Sequence, residues 1–521
     1  MPRWFNTAGP CDPRTHYMLP VLRRLPMVHQ LIERSSYFVL HAPRQVGKTT
    51  SLLALARELN EEGRYVAVLL SMEAGAAFAD IGAAELAILA GWRRAARSRL
   101  TAVDQPPPWP DEAPGGRIGA ALEHWARAAE RPLIVFLDEI DALQGPVLLS
   151  VLRQLRDGHS QRPEGFPWSL ALVGLRDVRD YRAAPAGSAA DLAGQHLGTA
   201  SPFNIKDRSL TLRNFTADEV RELYEQHTIE TGQRFDAAAV ARAYELTEGQ
   251  PWLINALAKV VVDELIGDRA RTITAADVND AKDVLIRRQD THLDSLAERL
   301  RETRVRRIIE PILSGDSLPA VPEDDLQYVV DLGLVRPSSA GGLVVANPIY
   351  REVIPRSLAS AAIASLPQIQ PTWLRADGSL DADRLLAAFL EFWRQHGEPL
   401  LGAAPYHEIA PHLVMMAFLH RVVNGGGSIQ REYAIGTGRM DLLVRYGVDA
   451  LAIELKVWRD GEADPCEQGL AQLDRYLAGL GLDRGWLVIF DRRASAGRIA
   501  NRTRVEITRS PGARAIAVVR A

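Results

Sequence analysis

A loop near the N-terminus combines the residue types that bind phosphate. It lies between an apolar run, Tyr37–His41, and a helical pattern, Thr49–Asn60. The backbone N–H groups of such a loop and of the helix that follows form a cradle for anions. Its lysine reaches the β- and γ-phosphates, and the hydroxyl after it ligates Mg²⁺. The residues predicted to bind a nucleotide are Ala42, Pro43, Arg44, Gln45, Val46, Gly47, Lys48, Thr49 and Thr50.

A second apolar run, Leu133–Leu137, leads directly into Asp138 and Glu139. A buried strand that ends in an acid places this acid beside the Mg²⁺ of a bound nucleotide, and the next acid polarises the attacking water. We therefore expect Thr49 and Asp138 to be metal ligands and Glu139 to be catalytic. With the phosphate loop, these acids predict that the chain binds and hydrolyses ATP.

A third group of residues lies near the C-terminus, on two apolar runs joined by Gly447-Val448. A two-residue loop with Gly first fits a tight hairpin turn, and this register sets Asp441 directly opposite Glu454. Cross-strand neighbours have Cβ atoms about 4.5–5.5 Å apart, and Lys456, two residues on, faces the same side. Two carboxylates this close repel unless a cation lies between them, and Mg²⁺ takes one or two carboxylates. The pattern predicts a magnesium site with Lys456 orienting a water; the alternative is a surface hairpin with incidental charges.

Lysine is rare in this chain, where nearly every cation is arginine. A compact ammonium is expected where a planar guanidinium will not serve. Two of the lysines, Lys48 and Lys456, fall inside the motifs above; the others are Lys206, Lys259 and Lys282.

The elements that must position these residues predict an α/β multidomain fold. Short apolar runs alternate with helical patterns over residues 1–210, which indicates a parallel sheet around the phosphate loop. The pattern then becomes helical over 211–292, which is typical of a lid, and Thr216 with Glu219 has capping-box spacing. Residues 293–360 suggest a winged helix, 361–378 a linker, and 379–521 a final α/β domain.

Over roughly Asn6–Arg356, the chain resembles AAA+/STAND-type ATPases of the archaeal-ATPase-like group. The resemblance implies that His16 and Tyr17 lie near the adenine and that Arg176 faces the γ-phosphate. AAA+ kinship also implies a homo-oligomer. No arginine finger can be assigned, so ATP is expected to act mainly as a conformational switch. The residues that carry the resemblance are both motifs above, Asn6-Thr7-Ala8-Gly9-Pro10, His16-Tyr17, Gly174-Leu175-Arg176-Asp177, Ser201-Pro202-Phe203-Asn204-Ile205 and Gly249-Gln250-Pro251-Trp252.

Over roughly Pro405–Phe490, the chain resembles the PD-(D/E)xK nuclease superfamily. Asp441 carries the first motif, with Met440 before it in place of Pro, and Glu454-Leu455-Lys456 carries the ExK motif. Gln472 to Tyr476 matches the QxxxY element of several such nucleases. The resemblance implies a restriction-endonuclease-like fold, with Glu408 completing a metal site for Mg²⁺, or alternatively Mn²⁺. It also implies that Asp441, Glu454, Lys456 and Gln472 are catalytic.

Charge and composition indicate which partners and which cellular compartment to expect. The net charge of −4 argues against nonspecific coating of nucleic acid, although eight arginines and one acid follow Asp491. That tail either pairs with phosphates or forms a solvated surface. Only Cys11 and Cys466 are present, which suits a reducing cytoplasm. No signal peptide and no apolar run of roughly 18 residues is visible, so we expect no membrane partner.

The leading hypothesis is an ATP-gated, Mg²⁺-dependent nuclease that cuts DNA, in host defence or mobile-element biology. One alternative is a nucleotide-switched regulatory or binding protein whose nuclease-like domain does not cut. Another is a nuclease that acts on RNA.

Overall fold

The structure is a computed structural model, and it describes part of the chain. The described residues are 3–175, 203, 205–288, 293, 296, 298–314, 318, 320–338, 341–354, 372–403, 415, 418–419, 427–435 and 438–521. The chain divides into two compact units, Met1–Arg288 with Pro322–Arg336, and Gln289–Val321 with Pro337–Ala521. The finer division into five segments stays a prediction.

Strands and helices alternate from Tyr37 to Gly174, and helices follow from Ala217 to Asp331. The strands are β1 (Tyr37–His41), β2 (Val66–Ser71), β3 (Leu133–Asp138), β4 (Ser169–Gly174), β5 (Arg208–Thr211), β6 (Val335–Pro337), β7 (Leu343–Val345), β8 (Gly427–Ile435), β9 (Gly438–Tyr446), β10 (Asp449–Trp458), β11 (Arg484–Asp491), β12 (Arg504–Arg509) and β13 (Ala515–Arg520). The α-helices are α1 (Val28–Glu33), α2 (Lys48–Glu61), α3 (Ile81–Arg99), α4 (Arg117–Ala128), α5 (Gly145–Gly158), α6 (Ala217–Thr231), α7 (Ala237–Thr247), α8 (Pro251–Lys259), α9 (Ala275–Arg288), α10 (Thr303–Ser314), α11 (Glu323–Asp331), α12 (Ala382–Ala403), α13 (Cys466–Leu480) and α14 (Ile499–Arg502). The 3-10 turns are Val21–Arg24, Glu73–Gly75, Ala102–Asp104, Ile140–Ala142 and His159–Gln161, and a π-helix covers Val260–Leu265.

The first unit is built on a five-stranded parallel sheet in the order β2-β3-β4-β1-β5. Strands β1 to β4 are almost entirely buried because both faces of the sheet are covered, as parallel sheets require, whereas the edge strand β5 is polar and partly exposed. Val39 and Val135 face a core shared with α3, α4 and α5, whereas Phe38 and Phe136 face a core shared with α1 and α2. This is a P-loop α/β fold, and β4 separates the strand that leads into the phosphate loop from the strand that ends in Asp138.

Helices α6 to α9, which we call the lid helices, follow the sheet. The predicted capping box is present: Thr216 accepts from the Glu219 N–H, and the Glu219 side chain accepts from the Thr216 N–H. Pro251 opens α8, because its ring fixes a helical φ and the missing N–H has no partner there anyway.

The second unit contains a six-stranded mixed sheet in the order β12-β13-β11-β10-β9-β8. Strands β10, β11 and β13 run parallel, and β8, β9 and β12 run antiparallel to their neighbours. Leu451 and Ile453 face a core with α12, and Ala452 faces a second core with α13. Successive residues of β10 therefore point to opposite, covered faces.

Several elements were not expected from the sequence. Helix α3 buries Gly82, Ala84 and Ala96 beside its larger side chains, so its apolar stripe is weak in sequence. The basic tail forms β12 and β13, and four of its arginines pair with acids. These ion pairs are Arg493–Asp491, Arg504–Glu506, Arg514–Asp474 and Arg520–Asp464.

Several sequence predictions lie outside the described residues. They include the loop 183–201, most of the linker 361–378 and most of the helix expected over 412–423. Across the described chain, every helix is too short or too polar to cross a lipid bilayer.

Candidate functional site

The phosphate loop joins β1 to α2 and has the backbone that an anion cradle needs. Gln45 and Gly47 adopt positive φ values of 59° and 95°, and Gly47 is the N-cap of α2. This turn exposes the first N–H groups of the helix, which have no partner within the helix. The Lys48 Nζ donates to the Ala42 and Pro43 carbonyl oxygens at 2.6 and 2.9 Å, so the loop curls around its own ammonium.

Burial lowers the pKa of Lys48 to about 8, although Asp141 and Asp138 favour its charged form. Desolvation penalises a buried ammonium unless anions compensate for it. Phosphate oxygens would supply the missing negative charge. The cradle therefore favours an anionic ligand electrostatically as well as by shape.

The first prediction concerns the pH dependence of nucleotide binding. Bound phosphate holds the Lys48 ammonium protonated, whereas the free protein loses that proton as pH rises through about 8. ATP affinity should therefore be nearly constant below pH 8 and fall by up to about tenfold per pH unit above it. Calorimetric titrations from pH 7 to 9.5 would measure this. A flat profile, or the same profile in Lys48→Met, would contradict it.

The acids expected to complete the site lie at the end of β3. The Thr49 hydroxyl donates to Asp138 Oδ2 at 2.7 Å, and the Glu139 N–H donates to Asp138 Oδ1 at 2.9 Å. Glu139 has a left-handed backbone, with φ of 59°, and its carboxylate accepts from the Ser71 hydroxyl at 2.6 Å. Burial raises the pKa of Glu139. The hydroxyl and carboxylate oxygens are ligands that Mg²⁺ prefers.

A cavity of about 310 Å³ opens beside this loop, in the size range of small-molecule sites. Three parts of the chain line it together: the phosphate loop, the N-terminal segment (residues 6–19) and the lid helices. Trp252 of α8 donates from its indole to the Thr7 carbonyl at 2.8 Å, and the Cys11 N–H donates to Thr50 Oγ1 at 3.1 Å. These bonds hold the N-terminal segment against both other walls.

The two residues suggested for adenine have different positions. Tyr17 lines the cavity, but its ring packs on Phe5 and its hydroxyl lies 3.2 Å from His227 Nδ1. His16 is not among the lining residues; its Nδ1 accepts from the Asp12 N–H at 2.8 Å. Arg176, the suggested sensor, lies outside the described residues.

Several lining residues were not assigned a role from the sequence, among them Cys11, Arg24, Phe215 and Asn255. Each comes from a segment distant in sequence from the phosphate loop, so no local sequence pattern predicts that it belongs to the site. Only Gly249–Trp252, quoted as a family motif, pointed to this part of α8.

The carboxylate pair of the second unit lies on β9 and β10. The predicted register is observed from Asp449 opposite Tyr446 to Ile453 opposite Leu442. The observed pairing ends there, and Asp441 and Glu454 are the next residues along the two strands; their charges interact. Asp441 Oδ2 accepts from the Leu455 N–H at 2.7 Å, beside Glu454 in the chain.

Glu454 is fully buried, and its two oxygens differ. Oε1 accepts from the Lys456 Nζ at 2.8 Å, whereas Oε2 has no hydrogen-bond partner in the described chain. Burial, followed by repulsion from Asp441, raises the pKa of Glu454 to about 7, and Lys456 counteracts the rise only in part. Two carboxylates against one ammonium leave a net negative charge in a buried place, so these residues fit a divalent cation.

Polar side chains extend from this pair along one face of α13. The Lys456 Nζ also donates to Gln472 Oε1 at 3.0 Å, and Gln472 Nε2 donates to the Tyr476 hydroxyl at 3.0 Å. Glu408, the third expected metal ligand, lies outside the described residues. Within the residues that are described, no cluster of three or more His, Cys, Asp or Glu side chains is arranged to hold a metal.

Comparisons with known proteins give structural similarity only. No protein-family model and no curated protein matches the sequence. The chain is similar to the Walker-type ATPase PABY2304 of Pyrococcus abyssi, with a TM-score of 0.48 and 14% identity over 67% of this chain and 99% of that one. It is also similar to the RuvB Holliday junction branch migration motor of Thermotoga maritima (TM-score 0.34, 18% identity, 64% of this chain and 92% of that one). A third similar structure is the Aeropyrum pernix ORC1 protein in complex with DNA (0.34, 16%, 67% and 95%). These values are too low to transfer an activity to this chain.

Proposed function

We propose that this protein is an ATPase whose nucleotide state gates a Mg²⁺-dependent nuclease acting on DNA, in host defence or mobile-element biology. The observation that carries the nuclease assignment is the buried Glu454, with one oxygen unpartnered in the described chain, beside Asp441 and Lys456. A buried acid of this kind, without a cation, would be expensive to keep.

At the first site, each residue has a separate task. The Gly47 turn and the start of α2 bind the phosphates, and Lys48 moves from the loop carbonyls to the phosphate oxygens. Thr49 and Asp138, which bond to each other at 2.7 Å, would hold the Mg²⁺ that accompanies ATP. Glu139, whose pKa is raised by burial, is positioned to accept a proton from the attacking water.

At the second site, Asp441 and Glu454 would hold the divalent cation, which when bound would neutralise charge on the scissile phosphate. Lys456 orients the attacking water, and its ammonium is aimed by Gln472 at 3.0 Å. Gln472 is in turn fixed by Tyr476 at 3.0 Å. This side-chain series acts on Lys456 and does not itself contact the phosphate. The use of DNA, not RNA, is part of the proposal.

One experiment tests cleavage and gating together. Purified protein is incubated with supercoiled plasmid and Mg²⁺, with and without ATP, as wild type, Asp441→Asn, Lys48→Ala and the exposed control Asp483→Asn. We expect ATP-dependent cutting by wild type and Asp483→Asn, at least about 100-fold less by Asp441→Asn, and loss of the ATP response in Lys48→Ala. Equal cutting by Asp441→Asn would refute the nuclease site.

Metal binding distinguishes the proposed nuclease from the alternative, a regulatory protein that does not cut. Calorimetry of the wild type with Mg²⁺ and Mn²⁺ should show uptake that Asp441→Asn lacks. No uptake and no cleavage would favour the regulatory alternative. If labelled RNA were cut in preference to labelled DNA in a mixed reaction, the substrate would be RNA and not DNA.

A further inference from the structure

Arg24 is a buried arginine at the end of the 3-10 turn Val21–Arg24, with only 8% of its surface exposed. Its Nε donates to the Arg213 carbonyl at 3.1 Å, and its Nη2 donates to the Val46 carbonyl at 3.0 Å and also to Arg213. The guanidinium lies 4.8 Å from the centre of the Phe215 ring. It therefore ties the phosphate loop to the segment that leads into α6.

The third nitrogen of Arg24 has a different environment. Within the described chain, Nη1 makes no hydrogen bond, and it lies 3.6 Å from where a Cβ on Gly47 would be. Arg24 and Gly47 both line the cavity. A guanidinium carries five N–H donors, and those on Nη1 are not used within the described chain. Because Arg24 lines the cavity, they are available to an acceptor there.

Arg24 also lacks a counter-charge of its own. Burial lowers its pKa to about 10; Glu219 opposes the decrease and Arg213 adds to it. Both Glu219 oxygens are engaged by Arg213, at 2.6 and 2.8 Å, so that carboxylate is shared between two cations. An anion in the cavity would balance the excess positive charge of Arg24 and Arg213.

We propose that Arg24 binds a phosphate oxygen of the nucleotide through Nη1, while its other nitrogens hold the phosphate loop to the start of the lid helices. The inference rests on the proposed nucleotide binding. A guanidinium and a phosphate form a charge-assisted pair, whereas a neutral base offers the cation no comparable charge. Because the same side chain holds the Arg213 carbonyl, occupancy of the cavity is linked to the position of α6.

The test compares ligands that differ in phosphate. Displacement of a fluorescent N-methylanthraniloyl-ADP measures the affinity for ADP and for adenosine in wild type and Arg24→Met, which keeps an apolar stem over Phe215. We expect ADP to bind about 10- to 100-fold more weakly and adenosine to be unchanged within about twofold, as loss of one charge-assisted hydrogen bond predicts. A purely structural role would weaken both ligands alike.

Arg162 provides a matched control. It donates to the His159 carbonyl at 3.0 Å and to Ser35, and it lies 4.6 Å from the Tyr37 ring, but it does not line the cavity. Arg162→Met should lower the melting temperature and leave the affinity for ADP unchanged.

The outcomes separate this inference from the proposed function. Unchanged ADP affinity in Arg24→Met, with binding lost in Lys48→Ala, would overturn the role of Arg24 and leave nucleotide binding intact. No binding of ATP or ADP by wild type would overturn both. If Arg24→Met does not fold, Arg24→Lys decides the question: its ADP affinity must fall at least about fivefold while that for adenosine stays, because an ammonium cannot replace the planar guanidinium.

Discussion

Replacing Glu139 with glutamine is expected to lower the rate of ATP hydrolysis by at least about 100-fold and to leave the affinity for ATP within about threefold of wild type. The amide keeps the shape of the side chain and can still accept from the Ser71 hydroxyl, which lies 2.6 Å from the carboxylate. It cannot accept a proton from water. Steady-state phosphate release and equilibrium ATP binding measure the two quantities separately.

Glu73→Gln is the matched control for this variant. Glu73 is an exposed acid whose charge acts on Glu139, and it has no place in the proposed chemistry. We expect its rate of hydrolysis to stay within about twofold of wild type. Similar losses in both variants would show that local charge, and not the carboxylate at position 139, supports turnover.

Glu454→Gln is expected to abolish Mg²⁺ binding and DNA cleavage and to stabilise the metal-free protein above pH 7. A glutamate in water has an ordinary pKa of 4.5, and the pKa of this one is raised to about 7 in the fold. Below pH 4.5 it is neutral in both the folded and the unfolded state; between 4.5 and 7 only the unfolded state ionises, so stability is lost. The neutral amide avoids that loss. We expect a gain of at least about 1 kcal/mol at pH 8, or ~2–4 °C in melting temperature.

Thermal unfolding of wild type and Glu454→Gln in EDTA at pH 4.5 and pH 8 measures this difference. The gain should be present at pH 8 and absent at pH 4.5. Glu467→Gln, at an exposed position in α13, should change neither stability nor cleavage. A lower melting temperature for Glu454→Gln at pH 8 would mean that the pair with Lys456 outweighs the cost of burial.

The backbone around both candidate sites could be predicted because short-range geometry determines it. The Gly447-Val448 turn sets the register observed between β9 and β10. Alternation along β10 then places Glu454 and Lys456 on one face, where they bond at 2.8 Å. The phosphate loop could be predicted equally well from the sequence, because its conformation depends on a strand and a helix that adjoin it in the chain.

Contacts between distant segments could not be predicted in the same way. Tyr17 meets His227 across 210 positions, and Arg24 meets Arg213 across 189. No periodicity links such segments, so the aromatic packing of Tyr17 and the burial of Arg24 emerge only from the fold. Helix α3 was missed for a different reason, since small residues at Gly82, Ala84 and Ala96 pack closely without an apolar signal.

Two hydrogen bonds, from the Trp252 indole to the Thr7 carbonyl and from the Cys11 N–H to Thr50 Oγ1, hold residues 7–11 as one wall of the cavity. The Arg3–Glu230 ion pair and the buried Phe5, which packs on Tyr17, anchor the chain just before this wall. A ligand that touches the wall, the phosphate loop and α8 together would add its own binding free energy to their closure. A bound nucleotide would therefore hold residues 7–11 more firmly in place. Proteases that cleave near the exposed Gly9 would accordingly cut the empty protein faster than the filled one.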